Sequence, residues 1–438
     1  MDDHTNRRDF LKLSTAGLMA AATLRGNAAS AATEGANDQI VVGLIGCGGR
    51  GVHDAGLFKN VPNVSVAYVC DVDAERRDAA ARSLGVDSSR AIGDMRKLLD
   101  DKALDAVIVA TPDHWHSPAA ILACDAGKHV YVEKPISHNI RESRLLVDAA
   151  NRNRVHVQHG TQCRSTPMMI EAVNLLRGGI IGEVRMAKCW NVQRRSPLPR
   201  GEMADPPAGL DYDNWLGPAP WVPYRTNRVH DRWTWWYHFG AGDMGNDGVH
   251  DIDYTRWGLG VDTHPTKVSA IGGRYYFNDD GEFPDTQQVT FEYHGNGKPE
   301  GHRLLIYEQR LWSTNYPHNV DSGAEFYGER GLMFLSRRGK IEVRDERNAR
   351  VDIAITPNPQ NDAAHVANFC AAIRGQAKLN ADAEVAHLST TLCHLGNIAT
   401  RLGRSLDFDP AKEQIVGDEE ANAMVGRKYR EHWGTPRT

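Results

Sequence analysis

The chain has 438 residues, 41% of them hydrophobic and 24% charged, with a formal net charge of −5. That balance gives no electrostatic reason to expect nucleic acid or an anionic membrane surface as partner. The seven cysteines (Cys47, Cys70, Cys124, Cys163, Cys189, Cys370 and Cys393) are odd in number and form no C-x-x-C, which argues against a disulfide framework.

The first element is a leader. In NRRDFLKLSTAG, residues 6–17, two arginines precede Phe10, Leu11, Lys12 and an apolar run from Leu13 to Leu24. Small residues at 27–32 follow, with a cleavage point after Ala31. This order predicts a twin-arginine signal peptide over 1–32 and a protein exported to the periplasm or another extracytoplasmic space. That route carries folded proteins, so a cofactor can travel with the chain. After the leader no apolar run approaches the roughly 20 residues of a membrane span.

Ile40 to Ile45 is continuously apolar, as a strand covered on both faces requires. Gly46, Gly48 and Gly51 then spell G-x-G-x-x-G. The first glycine allows the tight turn, the second lets backbone approach a pyrophosphate, and the third lets the next helix pack close. The helix N-terminus, with Gly49 and Arg50 in the same loop, then offers unpaired N–H groups to phosphate. The next strand, VSVAYVC, ends at Asp71, twenty residues after Gly51. An acid there accepts the hydroxyls of an adenosine ribose and repels a 2′-phosphate. With Arg76 and Arg77 placed a turn or more later, NAD is expected in preference to NADP.

Strands and helices continue to alternate: ALDAVIVATP, SPAAILACDAG, KHVYVEKP, NIRESRLLVDAANRN and VHVQHG. The pattern predicts a doubly wound parallel sheet, a Rossmann domain over 38–160, with ligands beyond the strands' carboxyl ends. Thr111, Pro112, Asp113, His114, His116, Glu133, Lys134 and Gln162 fall at or past those ends and are the expected lining of a nicotinamide pocket. His114 and His116 lack a carboxylate or cysteine at ligand spacing, so cofactor contact or structural hydrogen bonding is expected of them, and no metal.

Together GLIGCGGRG, VATPDHWHSPAAILACDAGKHVYVEKP and GDMGNDGVHDIDYTRW resemble the Gfo/Idh/MocA oxidoreductases, the glucose–fructose oxidoreductase and inositol dehydrogenase family. The resemblance covers nearly all of the chain after the leader, and Glu133-Lys134-Pro135 is its most specific element. It implies a second domain, over 161–438, built on a large open mixed sheet. The sequence agrees in the strands EVRMAKCWN, KVSAIGG, QQVTFEY, RLLIYEQR and LMFLS, separated by turns without regular helices, before a helical tail near 362–404. In this family the free sheet face forms an oligomer interface, so a homodimer or homotetramer is expected.

Hydride transfer from a secondary alcohol needs a base for the hydroxyl proton and stabilisation of the developing alkoxide. Lys134 is the first candidate and His250 the second. Family members often carry Asp four residues before that histidine; here Asn246 stands there, with Asp247 one residue off, and both join the catalytic candidates. Asparagine orients a hydroxyl but accepts no proton, so acid–base work shifts to His250 and Lys134. Asp253 reads as a structural partner and Asp243 as a pocket candidate. Residues 212–239 interleave Tyr212, Trp215, Trp221, Trp233, Trp235 and Trp236 with Arg225, Asn227, Arg228, His230 and Asp231. Such a stretch either stacks on a sugar or packs on itself. The resemblance implies an NAD-dependent oxidoreductase for a sugar or cyclic polyol, and the export signal adds the expectation that the cofactor is retained. The alternative is a redox-neutral NAD-dependent glycosidase or lyase acting through a transient 3-keto sugar.

Overall fold

A computed structural model describes residues 39–230, 232–294 and 301–437. The signal-peptide expectation and Asp231 lie outside the described residues. The first sheet has six strands: β1 (Ile40–Ile45), β2 (Val64–Cys70), β3 (Ala91–Ile92), β4 (Ala106–Val109), β5 (His129–Val132) and β6 (Val157–His159). They lie in the order β3-β2-β1-β4-β5-β6, all pairings parallel. The order reverses between β1 and β4, and a crevice opens beyond their carboxyl ends.

Both faces are covered, as the unbroken apolar strands demand. Alternate strand residues Val42, Leu44, Ala106 and Ile108 face α1 (Gly49–Lys59) and α2 (Ala74–Leu84) through Phe58, Ala80 and Leu84. Ile45, Val107, Val109 and Val132 face α3 (Asp113–Asp125) and α4 (Ile140–Asn153) through Ala119, Ala120 and Leu146. The helix expected from Ser117 begins at Asp113, so His114, Trp115 and His116 form its first turn. Pro118 lies inside it and disguised that turn, because an interior proline normally marks a helix end.

The second sheet has ten strands: β7 (Val184–Asn191), β8 (Lys267–Gly273), β9 (Thr286–Tyr293), β10 (Arg303–Arg310), β11 (Ser322–Gly328), β12 (Gly331–Ser336), β13 (Lys340–Asp345), β14 (Arg350–Val351), β15 (Leu406–Asp409) and β16 (Gln414–Ile415). Their order is β14-β13-β12-β11-β7-β10-β9-β8-β15-β16, and the sheet is mixed because β7 and β10 run parallel. One face is packed by α5 (Pro167–Arg177), α6 (Val249–Leu259) and α8 (Ala383–Leu402), whose Met168, Leu176, Ile252, Leu392 and Leu395 meet Val289, Phe291, Leu305 and Phe326. Helix α5 stands where turns alone were expected, and α6 runs well past the short helical spacing read at Asn246 and His250. In α6 ten of eleven residues are buried, so no polar face gives it a helical period.

The helical tail divides between the two sheets. α7 (Asp362–Ile373) sends Val366, Phe369 and Cys370 into the α1 side of the first sheet, with Phe369 edge-on to Phe58. α8 lies between α4 and the second sheet. Among the described residues no helix is long and apolar enough to cross a membrane.

Candidate active site

β1 runs into Gly46 at φ +94°, where a Cβ would sit 2.5 Å from the Ala110 carbonyl. Only glycine makes that turn. A Cβ on Gly51 would meet the Gly46 carbonyl at 2.1 Å, so the third glycine lets α1 seat on the turn. Gly48 caps α1 without any side-chain bond, which leaves the first-turn N–H groups available to an incoming phosphate.

A cavity of about 230 Å³ opens here, and of the sequence-predicted residues Gly46, Gly48, Gly49, Arg50, Asp71, Thr111, Pro112, His116, Glu133, Lys134 and Asn246 line it. Asp71 is held by two backbone N–H groups, from Cys47 at 2.7 Å and Asp73 at 2.9 Å. Burial raises its pKa against those bonds. The turn, the uncapped helix and the acid at the end of β2 fit a dinucleotide.

Five expectations change. The Arg50 guanidinium is committed to Glu133 at 3.0 Å, Asp362 at 2.9 Å and Asp54 at 3.1 Å, so it orders acids beside the loop. His114 does not line the cavity; its Nε2 bonds the Trp215 carbonyl at 2.8 Å among the Trp215 and Phe239 rings. Gln162 is buried behind the wall, donating to Glu133 and Tyr131. Arg76, expected a turn away, reaches the loop, with Nη1 3.2 Å from where a Gly48 Cβ would be. His116 lines the wall with both nitrogens bound, to the Pro135 and Thr111 carbonyls at 2.6 and 2.7 Å. Asp113, also expected in the lining, is buried outside it; it accepts from Ala241 N at 3.1 Å, and burial pushes its pKa well above the ordinary carboxylate value.

The far wall comes from distant sequence. Asn214, Trp215, His230, Trp233 and Trp433 line the same cavity. His230 Nε2 bonds Asp73 at 2.9 Å, Ala74 N donates to the Gly209 carbonyl, and Trp433 Nε1 donates to Asn214 at 3.1 Å. Arg96 lies over the Trp433 ring, 4.4 Å from its centre. The remaining aromatic residues mostly pack on themselves: Tyr212, Tyr224, Trp236 and Phe239 form a separate core with Trp215.

At the other end, Lys134 Nζ donates to Asn246 Oδ1 at 2.9 Å. Asn246 lies in a π-helical turn, Met244–Gly248, that leads directly into α6. The expected α-helical spacing of Asn246 and His250 is therefore set by a wider turn, of the kind that often marks functional sites. Asp243 is buried and binds Arg195 at 2.8 Å, Asn191 at 2.8 Å and, more loosely, Asn246. Asp247 does not line the cavity; it is clamped by Arg195 and by Arg337 at 3.3 Å. Burial pushes its carboxyl up, but Arg337, Lys134 and Arg195 outweigh burial and hold it ionised, so it is a fixed charge. His250, expected as a catalytic residue, is not among the residues that line the cavity; it is buried one turn beyond Asn246, with Nδ1 unpartnered among the described residues. Burial first, then the Arg337 and Lys134 charges, holds its pKa well below 6.5, so the imidazole is neutral. Asp253 pairs with Arg164 at 2.7 Å, as a structural partner should.

Arg195 and Arg337 have no signature in the sequence. The one available clue is that two acids in a buried turn, Asp243 and Asp247, need cations brought from elsewhere.

Residues 40–161 match the NAD-binding Rossmann fold of an oxidoreductase family, and residues 198–435 match the same family's C-terminal alpha/beta domain. Over 156 residues the chain is 33% identical to a glycosyl hydrolase family 109 protein of Saccharopolyspora erythraea, covering 34% of each chain. It is 29% identical over 207 residues to an alpha-N-acetylgalactosaminidase of Shewanella oneidensis, covering 41% of this chain and 44% of that one. The chain thus spans less than half the length of these curated relatives. Among solved structures, the WlbA dehydrogenase of Bordetella pertussis, in complex with NADH and UDP-GlcNAcA, superposes with a TM-score of 0.63 at 18% identity over 85% of this chain and 99% of that one. An aldose-aldose oxidoreductase of Caulobacter crescentus, complexed with glycerol, gives 0.62 at 17% identity over 84% and 100%. These likenesses establish the fold, and with the matched domains they show that the chain belongs to the Gfo/Idh/MocA oxidoreductase family, with NAD as its cofactor.

Proposed function

We propose that this protein transfers hydride between NAD and a secondary alcohol carbon of a sugar or cyclic polyol, and that it keeps its cofactor bound. The carrying observation is the Lys134–Asn246 pair, 2.9 Å apart on the wall of the dinucleotide cavity, with neutral His250 on the next turn. Bound NAD supplies the hydride acceptor. Lys134 uses one of its three N–H groups on Asn246, and the others are free to grip the substrate oxygen and stabilise the alkoxide. His250, being neutral, takes the hydroxyl proton, and in reverse returns it. Asp243 and Asp247, fixed by Arg195 and Arg337, hold the π-turn that presents Asn246. The acid at Asp71 favours NAD over its 2′-phosphorylated form.

A second reading, a glycosidase or lyase with no net redox change, is favoured by the relatives of glycosyl hydrolase family 109. The same Lys134 and His250 would then act on a transient ketone. Retention of the cofactor is supported by the wall of Asn214, His230, Trp233 and Trp433 over the loop side. It also suits export by the leader, which we read as a twin-arginine signal, to a compartment poor in free NAD. We further propose that the chain assembles as a homodimer or homotetramer through the open face of the second sheet.

The test is to purify the exported protein without added cofactor, quantify NAD and NADH per chain, and assay free sugars and nitrophenyl glycosides. Net nicotinamide reduction with free sugars supports the first reading. Aglycone release with no net reduction supports the second. Neither product with either class, despite bound NAD, rejects both.

A further inference from the structure

Three side chains from separate segments converge away from the NAD cavity. His264 comes from the α6–β8 connection, His387 from α8, and Glu413 from the turn between β15 and β16. His264 Nε2 lies 3.2 Å from His387 Nε2 and 3.3 Å from Glu413 Oε1, and His387 Nε2 lies 2.9 Å from the same oxygen. Ligand atoms bound to one small cation at ~2.0–2.2 Å stand roughly 3 to 3.5 Å apart, so the triangle is cation-sized.

The hydrogen bonding around the triangle points inward as well. His387 Nδ1 is 2.7 Å from Ser143 Oγ, whose proton goes to the Ile140 carbonyl at 2.9 Å. Nδ1–H is then the donor, and Nε2 presents its lone pair to the Glu413 carboxylate. Two lone pairs at that distance repel unless something positive lies between them. A histidine whose far nitrogen is fixed by a hydrogen bond is also the usual arrangement around a bound metal. His264 is 4% exposed and its Nδ1 has no partner, so its polar contacts all lie toward the triangle. Glu413 adopts φ +53°, unusual for a side chain other than glycine, and its Oε1 also accepts from Arg144 at 2.6 and 3.0 Å, with Oε2 accepting at 3.2 Å, so a cation would share that oxygen with the guanidinium or take the carboxylate through Oε2. Arg144 also pairs with Glu384 at 2.9 Å.

We propose that His264, His387 and Glu413 bind a first-row divalent cation, zinc foremost. Two imidazoles and a carboxylate suit that ion, with a fourth position for water. The ion would clamp α8, the β15–β16 turn and the α6–β8 connection beside α4. This is an addition to the sequence reading, which expected no metal. The rival occupant is a proton on His387 Nε2, donated to Glu413.

The test uses untagged protein purified without chelator. Zinc per chain is measured, and chelator-treated protein is then titrated with Zn²⁺ and Co²⁺. We expect about one zinc per chain, a saturable visible spectrum of low-coordinate cobalt, and a Tm several degrees higher on readdition. Ser143→Ala keeps all three ligands and should weaken zinc binding ~10–100-fold. His264→Gln and Glu413→Gln should abolish stoichiometric binding. Less than about 0.1 zinc per chain, with no cobalt spectrum and no shift in Tm, overturns the site in favour of the proton. Binding that persists unchanged in both ligand variants lies elsewhere and overturns it equally.

Discussion

Lys134 and His250 divide the work by charge. An ammonium can stabilise an alkoxide, and a neutral imidazole can take a proton; one group in one state cannot do both. Replacing Lys134 with Met keeps the length of the side chain and removes its charge. We expect kcat to fall about 10²- to 10⁴-fold, with NAD per chain unchanged. Equal loss of bound NAD would make Lys134 a cofactor anchor. His250 gives the pH dependence. Its pKa is lowered by burial first, then by Arg337 and Lys134, so protonation, which would stop it acting as a base, sets in only well below pH 6.5. The rate should stay level through pH 6.5 and decline at lower pH. Arg337→Gln removes the largest charge acting on that imidazole, raises its pKa, and should move the acid limb upward; a pH profile of kcat/KM on both proteins checks this. Lys134 was legible in the sequence because Glu133-Lys134-Pro135 is local. Asp247 was read as a candidate for catalysis because its arginine partners lie 52 and 90 residues away in sequence, and only the fold brings them together.

At the scale of elements, the glycine turn and the far wall enclose the dinucleotide from opposite sides. Gly51→Ala would push a methyl into the Gly46 carbonyl and lift α1 from the turn. Trp433→Ala is milder: it removes a ring that bonds Asn214 and stacks under Arg96, while leaving the loop intact. We expect NAD to dissociate faster from Trp433→Ala, by about tenfold or more, equivalent to ~1.4 kcal/mol of lost contact. Displacement by a labelled dinucleotide measures it, and an unchanged rate would remove the wall from the retention argument. Five strands of each sheet were legible because apolar runs and alternation are properties of short windows, whereas β3, β11 and β13 to β16 were not read. The wall was not, since Trp433 and Asn214 are 219 residues apart. Nor was the full length of α6, where Asp251 and Arg256 look like a solvated face yet are buried and paired.

Across the whole molecule, one buried ion pair joins the two sheets. Arg164 follows β6, the edge strand of the first sheet, in a short turn at Gln162–Ser165. Its Nε lies 2.7 Å from Asp253 on α6, under the second sheet, and the two side chains are 6% and 0% exposed. Ser389 of α8 donates to the other Asp253 oxygen at 2.6 Å, and Arg256 donates to Ser389 at 3.0 Å. Burial pushes the Asp253 carboxyl up, but Arg164 and its hydrogen bonds hold it below the ordinary range. Its contribution is therefore complete above about pH 4 and is lost as pH falls through the lowered value. Asp253→Asn keeps the shape and leaves the Arg164 charge buried without its counterpart, a change that costs about 3–5 kcal/mol. Because α8 packs against both α4 and the second sheet, that loss should appear as one cooperative transition at lower Tm. Replacing Arg164 with Met in the same chain removes the stranded charge and should recover much of the stability. Calorimetry of the three proteins decides the matter. Two separate transitions in Asp253→Asn would mean the sheets unfold independently once this tie is cut, whereas an unmoved Tm would mean the tie carries no load.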